Sequence, residues 1–489
     1  MTIKPSRTIF RNSILGFTAQ TIIKVLSFLF SIYIIRYLGV ESFGQYSAIL
    51  AFTGTFAIFS DLGLSLYSTR QIARWRDEPE GKQKSAALYT NILFLRLILA
   101  ILTVFSAIAT ALITHRSMII IMGIALSSMI LILYAVQGSS EAVLAGFERL
   151  DITSGARIIN QVVFVMAGGI LLWLGVGYFG LITANLLGVI IMGIFCWFAV
   201  KALRLKFVKP TPSEWFRLLR FSIPFGIIGF ALGLSYKFDT VLLNIFRGDK
   251  ETGYYNAAYN LIFSFVVFSN VINTSIYPTL TRISINAPEN LIAMYNRTLR
   301  YLMFISLPIS VGITILADQI IRFLYTEDFT QSIIALRILI WVLPLMYASE
   351  FFGYIIVISN KEVKVARAVL ISTGFNVMLN SILVPKYGYI VASIMTVITE
   401  MVLVGQYVFS LRSRKEGLDW INGILLPCCT AFLMGIVVYG FKTKFNLIGN
   451  VLIGVITYIL LSFIFKIIGK EELLFVKQLI LPSRRNSLL

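Results

Sequence analysis

From Arg11 to Lys466 the chain is a succession of apolar runs separated by short polar breaks. Each run is about twenty residues long, the length an α-helix needs to cross the hydrocarbon core of a bilayer. Inside hydrocarbon every backbone N–H and C=O must be bonded within the protein, so an open sheet or an irregular loop cannot face the lipid. The runs fall at about 12–35, 45–66, 86–113, 117–140, 156–176, 178–200, 218–246, 254–280, 298–316, 332–358, 366–384, 388–411, 420–441 and 446–466. Only 13% of residues are charged and 58% are hydrophobic, whereas a soluble domain carries roughly 25% charged residues. The expected fold class is therefore all-α integral membrane, with about fourteen transmembrane helices. No stretch between runs is long enough for a soluble domain.

The net charge of +19 comes from 42 Lys and Arg against 23 Asp and Glu. A nucleic-acid binder gathers such residues on one soluble face. Here they alternate with the spans: most lie in the two tails and in every second loop. That is the positive-inside asymmetry. It predicts a multi-pass protein of the cell (inner or plasma) membrane with both termini cytoplasmic, its basic loops facing anionic lipid headgroups rather than nucleic acid. The first apolar run is followed by no small-residue cleavage site, so it reads as an uncleaved first helix. Cys196, Cys428 and Cys429 all lie inside apolar runs, which indicates no disulfide framework.

The longest basic connection in the middle runs from Lys201 to Arg220 and contains Pro210 and Pro212. It leaves six spans before it and eight after. A shift of 209 residues, without gaps, aligns Arg11 with Arg220, Gly39 with Gly248, Gly44 with Gly253, Tyr46 with Tyr255 and Ala48 with Ala257. The glycine and tyrosine matches keep one spacing and fall at the turn between the first two spans of each half, which points to an internal duplication. Six spans per repeat is an even number, so the repeats share one orientation and would enclose a cavity between them. The expected organisation is an N-lobe at 1–200, a cytoplasmic linker at 201–217 and a C-lobe at 218–411. Residues 412–489 would form two appended helices and a cytoplasmic tail.

Ionisable side chains at bilayer depth are costly and mark pathways or binding sites. Lys24, Asp61, Arg96, Lys237, Asp239, Arg337, Glu350 and Glu400 lie within spans. Lys24, Arg96, Lys237 and Arg337 would suit a large anionic head group such as a diphosphate in the central cavity. The alternative is that each pairs with a buried carboxylate and locks helices together. Lys237 and Asp239 are two apart, so on a helix they face different surroundings and do not neutralise one another. Asn376 and Asn380 share a face of span 11, and span 12 offers Thr396. With Asp239 they form a hard oxygen set suited to a small cation, Na⁺ or alternatively H⁺; ordinary interhelical hydrogen bonding is the competing explanation. There is no phosphate-binding loop, nucleophile elbow or histidine metal cluster, so neither an enzyme nor a cofactor beyond a coupling ion is expected.

The segments Arg36-Tyr-Leu-Gly39, Glu41-Ser-Phe-Gly44-Gln-Tyr46 and Asp61-Leu-Gly63 resemble the N-terminal signature of bacterial polysaccharide flippases. These belong to the multidrug/oligosaccharidyl-lipid/polysaccharide superfamily. Asp239-x-x-Leu242-Leu243, Gly248 and Thr252-Gly253-Tyr254-Tyr255-x-Ala257-Ala258-Tyr259 resemble its second-half signature. The resemblance implies export of undecaprenyl-diphosphate-linked oligosaccharide to the outer leaflet by alternating access, for surface polysaccharides such as O-antigen or exopolysaccharide. It implies as partners the lipid-linked substrate, a polysaccharide polymerase and chain-length machinery. Lipid II flippases of the superfamily have a sodium site in spans 7, 11 and 12, which Asp239, Asn376, Asn380 and Thr396 match except that Asn380 replaces a carboxylate. The drug-exporter branch usually carries an acidic residue in its first span, where this chain has Lys24, which favours an anionic substrate. The competing readings are a cation-coupled small-molecule exporter of the same fold and a membrane polysaccharide polymerase or ligase. The latter generally needs a large outward loop, and the longest one here spans only about 317–331.

Overall fold

The computed structural model describes residues 5–205, 207–411, 419, 421–465 and 467. The expected cytoplasmic tail at 468–489 lies outside the described residues. Among those described there is no strand. The helices are α1 (Pro5–Ala57), α2 (Leu64–Trp75), α3 (Gly81–Ile113), α4 (Met118–Gly146), α5 (Leu150–Trp173), α6 (Tyr178–Ala202) and α7 (Trp215–Arg247). They continue with α8 (Asp249–Asn286), α9 (Leu291–Leu324), α10 (Ser332–Leu339), α11 (Val342–Ile358), α12 (Glu362–Leu411), α13 (Leu426–Phe441) and α14 (Leu447–Ile464). Large apolar side chains line the outside: Leu29, Phe105, Met166, Phe432 and Leu460 are each more than half exposed. In water that would be untenable; in lipid it costs nothing, and the chain is an all-α membrane protein.

Eleven helices among the described residues are long and apolar enough to span, or twelve when the bent α7 is counted as one. Two of them are too long to be single spans. A straight helix of the 53 residues of α1 would be about 80 Å long at 1.5 Å per residue. Its ladder is broken at Gly39, with φ 69° and ψ 175°. Gly248, which separates α7 from α8, has nearly the same conformation, φ 83° and ψ −171°. These are the two glycines related by the 209-residue shift, so the repeat read from the sequence is also a repeat of backbone geometry. A second matched pair escaped the sequence: Gly388 inside α12, at φ 67° and ψ −150°, and Gly177 between α5 and α6, at φ 66° and ψ −149°. A side chain with a Cβ rarely adopts such dihedrals, which is why glycine stands at all four turns.

The chain forms two compact units. The first takes in α1 to α7, α8 as far as Val267, Tyr325–Ser332 and Ala366–Met395. Its interior is built on α3 and α4, on α6 against α4 and α5, and on α1 against α5 and α7. The buried Tyr89 lies within it, with its hydroxyl 2.9 Å from that of Ser140. The second comprises Phe268–Leu324, Ile333–Val365 and the chain from Thr396. There α9 packs against α11, α13 and α14, and Ser310 donates to the Ile340 carbonyl at 3.2 Å.

Candidate functional site

In the first unit the second limb of α1 and the turn that follows it run antiparallel along α7. A Cβ placed on Gly63 would lie 2.4 Å from the Ser222 carbonyl oxygen, and one on Gly233 would lie 2.8 Å from Ile58. At mid-length a Cβ on Gly54 would meet the Lys237 side chain at 3.8 Å. Small residues let backbones approach this closely, the usual basis of helix association where no hydrophobic effect operates between helices. Lys237 has an accessible surface and forms no ion pair among the described residues.

Asp239, two positions on, points elsewhere. It is 2% exposed, and its Oδ2 accepts from the Tyr255 hydroxyl of α8 at 3.1 Å. Its Oδ1 accepts from Asn380 Nδ2 of α12 at 2.7 Å. Asn376, one turn before Asn380 on the same helix, is likewise buried. The Oδ1 of Asn380, fully buried, accepts no hydrogen bond among the described residues. An unsatisfied buried carbonyl oxygen costs about 1–3 kcal/mol, and a cation is one partner that would satisfy it. Asp239 and the Asn380 oxygen are the hard oxygen donors that would hold a small cation at this point. Thr396, on the later limb of α12, belongs to the second unit.

The other predicted cations are placed differently. Lys24 is exposed on α1 and makes no ion pair among the described residues. It lies one helical turn beyond Gln20, which lines a cavity of about 440 Å³ together with Ser65, Leu66, Glu141, Leu150 and Arg157. Arg157 was missed by sequence reading because it follows the α4–α5 loop closely and reads there as a loop charge. Its Nε donates to Glu141 at 2.6 Å, while Gln137 holds the other carboxylate oxygen at 2.5 Å. Arg96 is 4% exposed and lies 3.1 Å from Asp61 Oδ1, with a further bond of 2.9 Å to the Ser65 hydroxyl. Arg337, in the second unit, is half-exposed and 3.9 Å from Asp318, whose nearer partner is Lys442 at 2.7 Å. Also in that unit, Glu350 accepts from Ser269 at 2.6 Å, Asn270 at 3.2 Å and Asn273 at 3.3 Å, and Ser349 donates to Glu400.

Residues 9–284 match the polysaccharide biosynthesis protein family. The probable low-salt glycan biosynthesis flippase Agl15 of Haloferax volcanii is 24% identical over 438 residues, covering 88% of this chain and 90% of that protein. Among solved structures, the inward closed conformation of the lipid II flippase MurJ superposes with a TM-score of 0.75 at 17% identity. That match covers 92% of this chain and 98% of MurJ. An inward-facing multidrug resistance transporter of the MATE family superposes with a TM-score of 0.62 at 16% identity, over 81% of this chain and 98% of that one. The repeated glycine turns, the apolar helices and these matches agree: the chain belongs to the polysaccharide biosynthesis protein family.

Proposed function

We propose that this protein is a flippase that moves a diphosphate-linked lipid oligosaccharide, with undecaprenol as the carrier, from the cytoplasmic to the outer leaflet. The observation that carries this reading is the nearly end-to-end match to a glycan flippase, joined to Lys24 and Lys237, which lie within membrane-spanning helices and make no ion pair among the described residues. A cation without a carboxylate partner at that depth is costly unless an anion or water meets it, and a diphosphate is such an anion. Arg96, Arg337 and Arg157 have acidic partners, so the anion-binding role rests on Lys24 and Lys237, and Arg157 lines the cavity wall already paired with Glu141. The limbs of α1 and α12 each count as a span, which brings the total to fourteen. Spans 1–6 and 7–12 act as the two lobes of an alternating-access cycle, with both termini cytoplasmic. A small cation held by Asp239, Asn376 and Asn380 supplies the gradient coupling.

Deletion of the gene, followed by mass analysis of the lipid fraction, tests the reading. A diphosphate-linked oligosaccharide should accumulate on the cytoplasmic leaflet and surface glycan should fall. Loss of export of a small organic cation, with the lipid-linked pool unchanged, would instead favour the exporter reading.

A further inference from the structure

The two copies of the glycine turn meet. A Cβ on Gly44 would lie 1.9 Å from the carbonyl oxygen of Asp249, and a Cβ on Gly253 would lie 2.2 Å from the carbonyl oxygen of Val40. Gly44 and Gly253 are one aligned pair of the repeat, and Val40 and Asp249 are another. The contact is therefore reciprocal: each repeat presses its glycine onto the same carbonyl of the other. Separations that short admit no side chain without a backbone shift. Polar groups fasten the contact from the sides. Gln45 Nε2 donates to Asp249 Oδ2 at 2.9 Å, Asn244 Nδ2 donates to Asp249 Oδ1 at 2.7 Å, and Arg116 of the α3–α4 loop donates to Asn244 Oδ1. Two side chains, one from α1 and one from the end of α7, thus hold one carboxylate, and Arg116 braces the second of them. The fastening is not itself duplicated, since position 40, the counterpart of Asp249, is a valine.

We propose that this reciprocal glycine contact is the closure on the side of the membrane opposite the N-terminus, and that Asp249 is the positioning residue that holds it shut while the other side is open. Hydrogen bonds to a charged group are stronger than neutral ones but individually modest, so a few of them suffice to hold the closure and can still be broken in a transport cycle. The backbone contact supplies fit and Asp249 supplies the bias. This inference rests on the alternating-access reading above, but not on what is carried.

The test uses the full-length protein in cells, with the three native cysteines replaced by serine and a reporter cysteine introduced by Gly54→Cys. A Cβ at Gly54 meets only ordinary contacts, the nearest at 3.8 Å, so the reporter fits between α1 and α7. A membrane-impermeant maleimide added outside should label it slowly. Gly44→Ala, which cannot close, should raise the labelling rate about tenfold or more, and Asp249→Asn should raise it several-fold without any steric change. Unchanged labelling in both variants, or a rise seen only in inverted vesicles, overturns the proposal. If Gly44→Ala does not reach the membrane, Asp249→Asn decides alone, with Arg116→Gln expected to act in the same direction and more weakly. Because labelling reports access to Gly54→Cys and not transport, an unchanged rate counts against the closure, whereas normal lipid-linked pools after gene deletion count against the flippase.

Discussion

The Asp61–Arg96 pair gives the sharpest test of which buried cations lock the fold and which serve transport. Asp61→Asn leaves the guanidinium of Arg96, 4% exposed, bonded to the hydroxyls of Ser65 at 2.9 Å and Ser139 at 3.4 Å. Breaking a fully buried pair costs about 3–5 kcal/mol. The Asp61 side chain is 32% exposed, so solvent screens part of the pair and about 2–3 kcal/mol is expected. Arg96→Met removes the cation while Asp61 keeps the Ser65 hydroxyl at 2.6 Å and the Gly63 amide at 3.2 Å. It should cost less, about 1–2 kcal/mol. The double variant should then be more stable than the sum of the single changes predicts, with a coupling of about 1–2 kcal/mol. Unfolding of the purified protein in detergent gives the three differences, and surface glycan in complemented cells gives transport. Additive costs, within about 0.5 kcal/mol, would refute the locking role. A double variant that folds normally yet exports nothing would return Arg96 to the substrate path.

Three further outcomes follow from the placement of the other ionisable groups. Lys237→Ala should abolish surface glycan while the protein still accumulates in the membrane; wild-type glycan in that strain removes Lys237 from the substrate path. Asp239→Asn should make transport in proteoliposomes indifferent to an imposed cation gradient, and a retained response to collapse of the gradient counts against the ion site. Arg157→Gln should weaken uptake of lipid-linked substrate several-fold and Glu141→Gln should not, because only the first removes a cation from the cavity wall; equal losses in both would mean that the ion pair only braces α4 against α5.

How much of this was legible in the sequence depended on the kind of constraint. Span length and composition fixed the class, because the lipid leaves the backbone no alternative to helix. The duplication was visible because glycines at Gly39 and Gly248 are required by dihedrals that other residues rarely adopt. The matching turn at Gly177 and Gly388 was not, since its flanking residues share little besides a tyrosine and apolar character. Helix periodicity separated Lys237 from Asp239, and span 11 was named as the source of a partner for Asp239, where Asn380 stands at 2.7 Å. Tyr255 was read only as part of a turn signature, whereas its hydroxyl donates to Asp239. Pairing across long separations was illegible in the same way: nothing local in the sequence distinguishes Arg96, held by Asp61, from Lys237, which makes no ion pair among the described residues. Depth can be counted along one helix, but a partner on another helix has no sequence spacing to betray it.

Helix α7 joins what the sequence showed as separate features. Lys237 lies beside Gly54 of α1, and Asp239 faces Tyr255 and Asn380 on the other side of the same helix. Five residues further on, Asn244 holds Asp249 at the closing turn. Five residues of helix are about 7.5 Å of nearly incompressible rod, so a change of occupancy or charge at Asp239 is mechanically closer to the glycine closure than to any other part of the first unit's polar network. The carboxylate is fastened through hydrogen bonds to α8 and α12, and the closing turn through hydrogen bonds to α1 and the α3–α4 loop. A rotation of α7 large enough to loosen one set also strains the other, because both are anchored on the same stiff backbone. The pairing of Lys237 and Asp239 two positions apart is then a requirement of geometry rather than a salt bridge: one face of a single helix sets Lys237 beside Gly54, the other sets Asp239 against Tyr255 and Asn380, and its end sets Asn244 against Asp249.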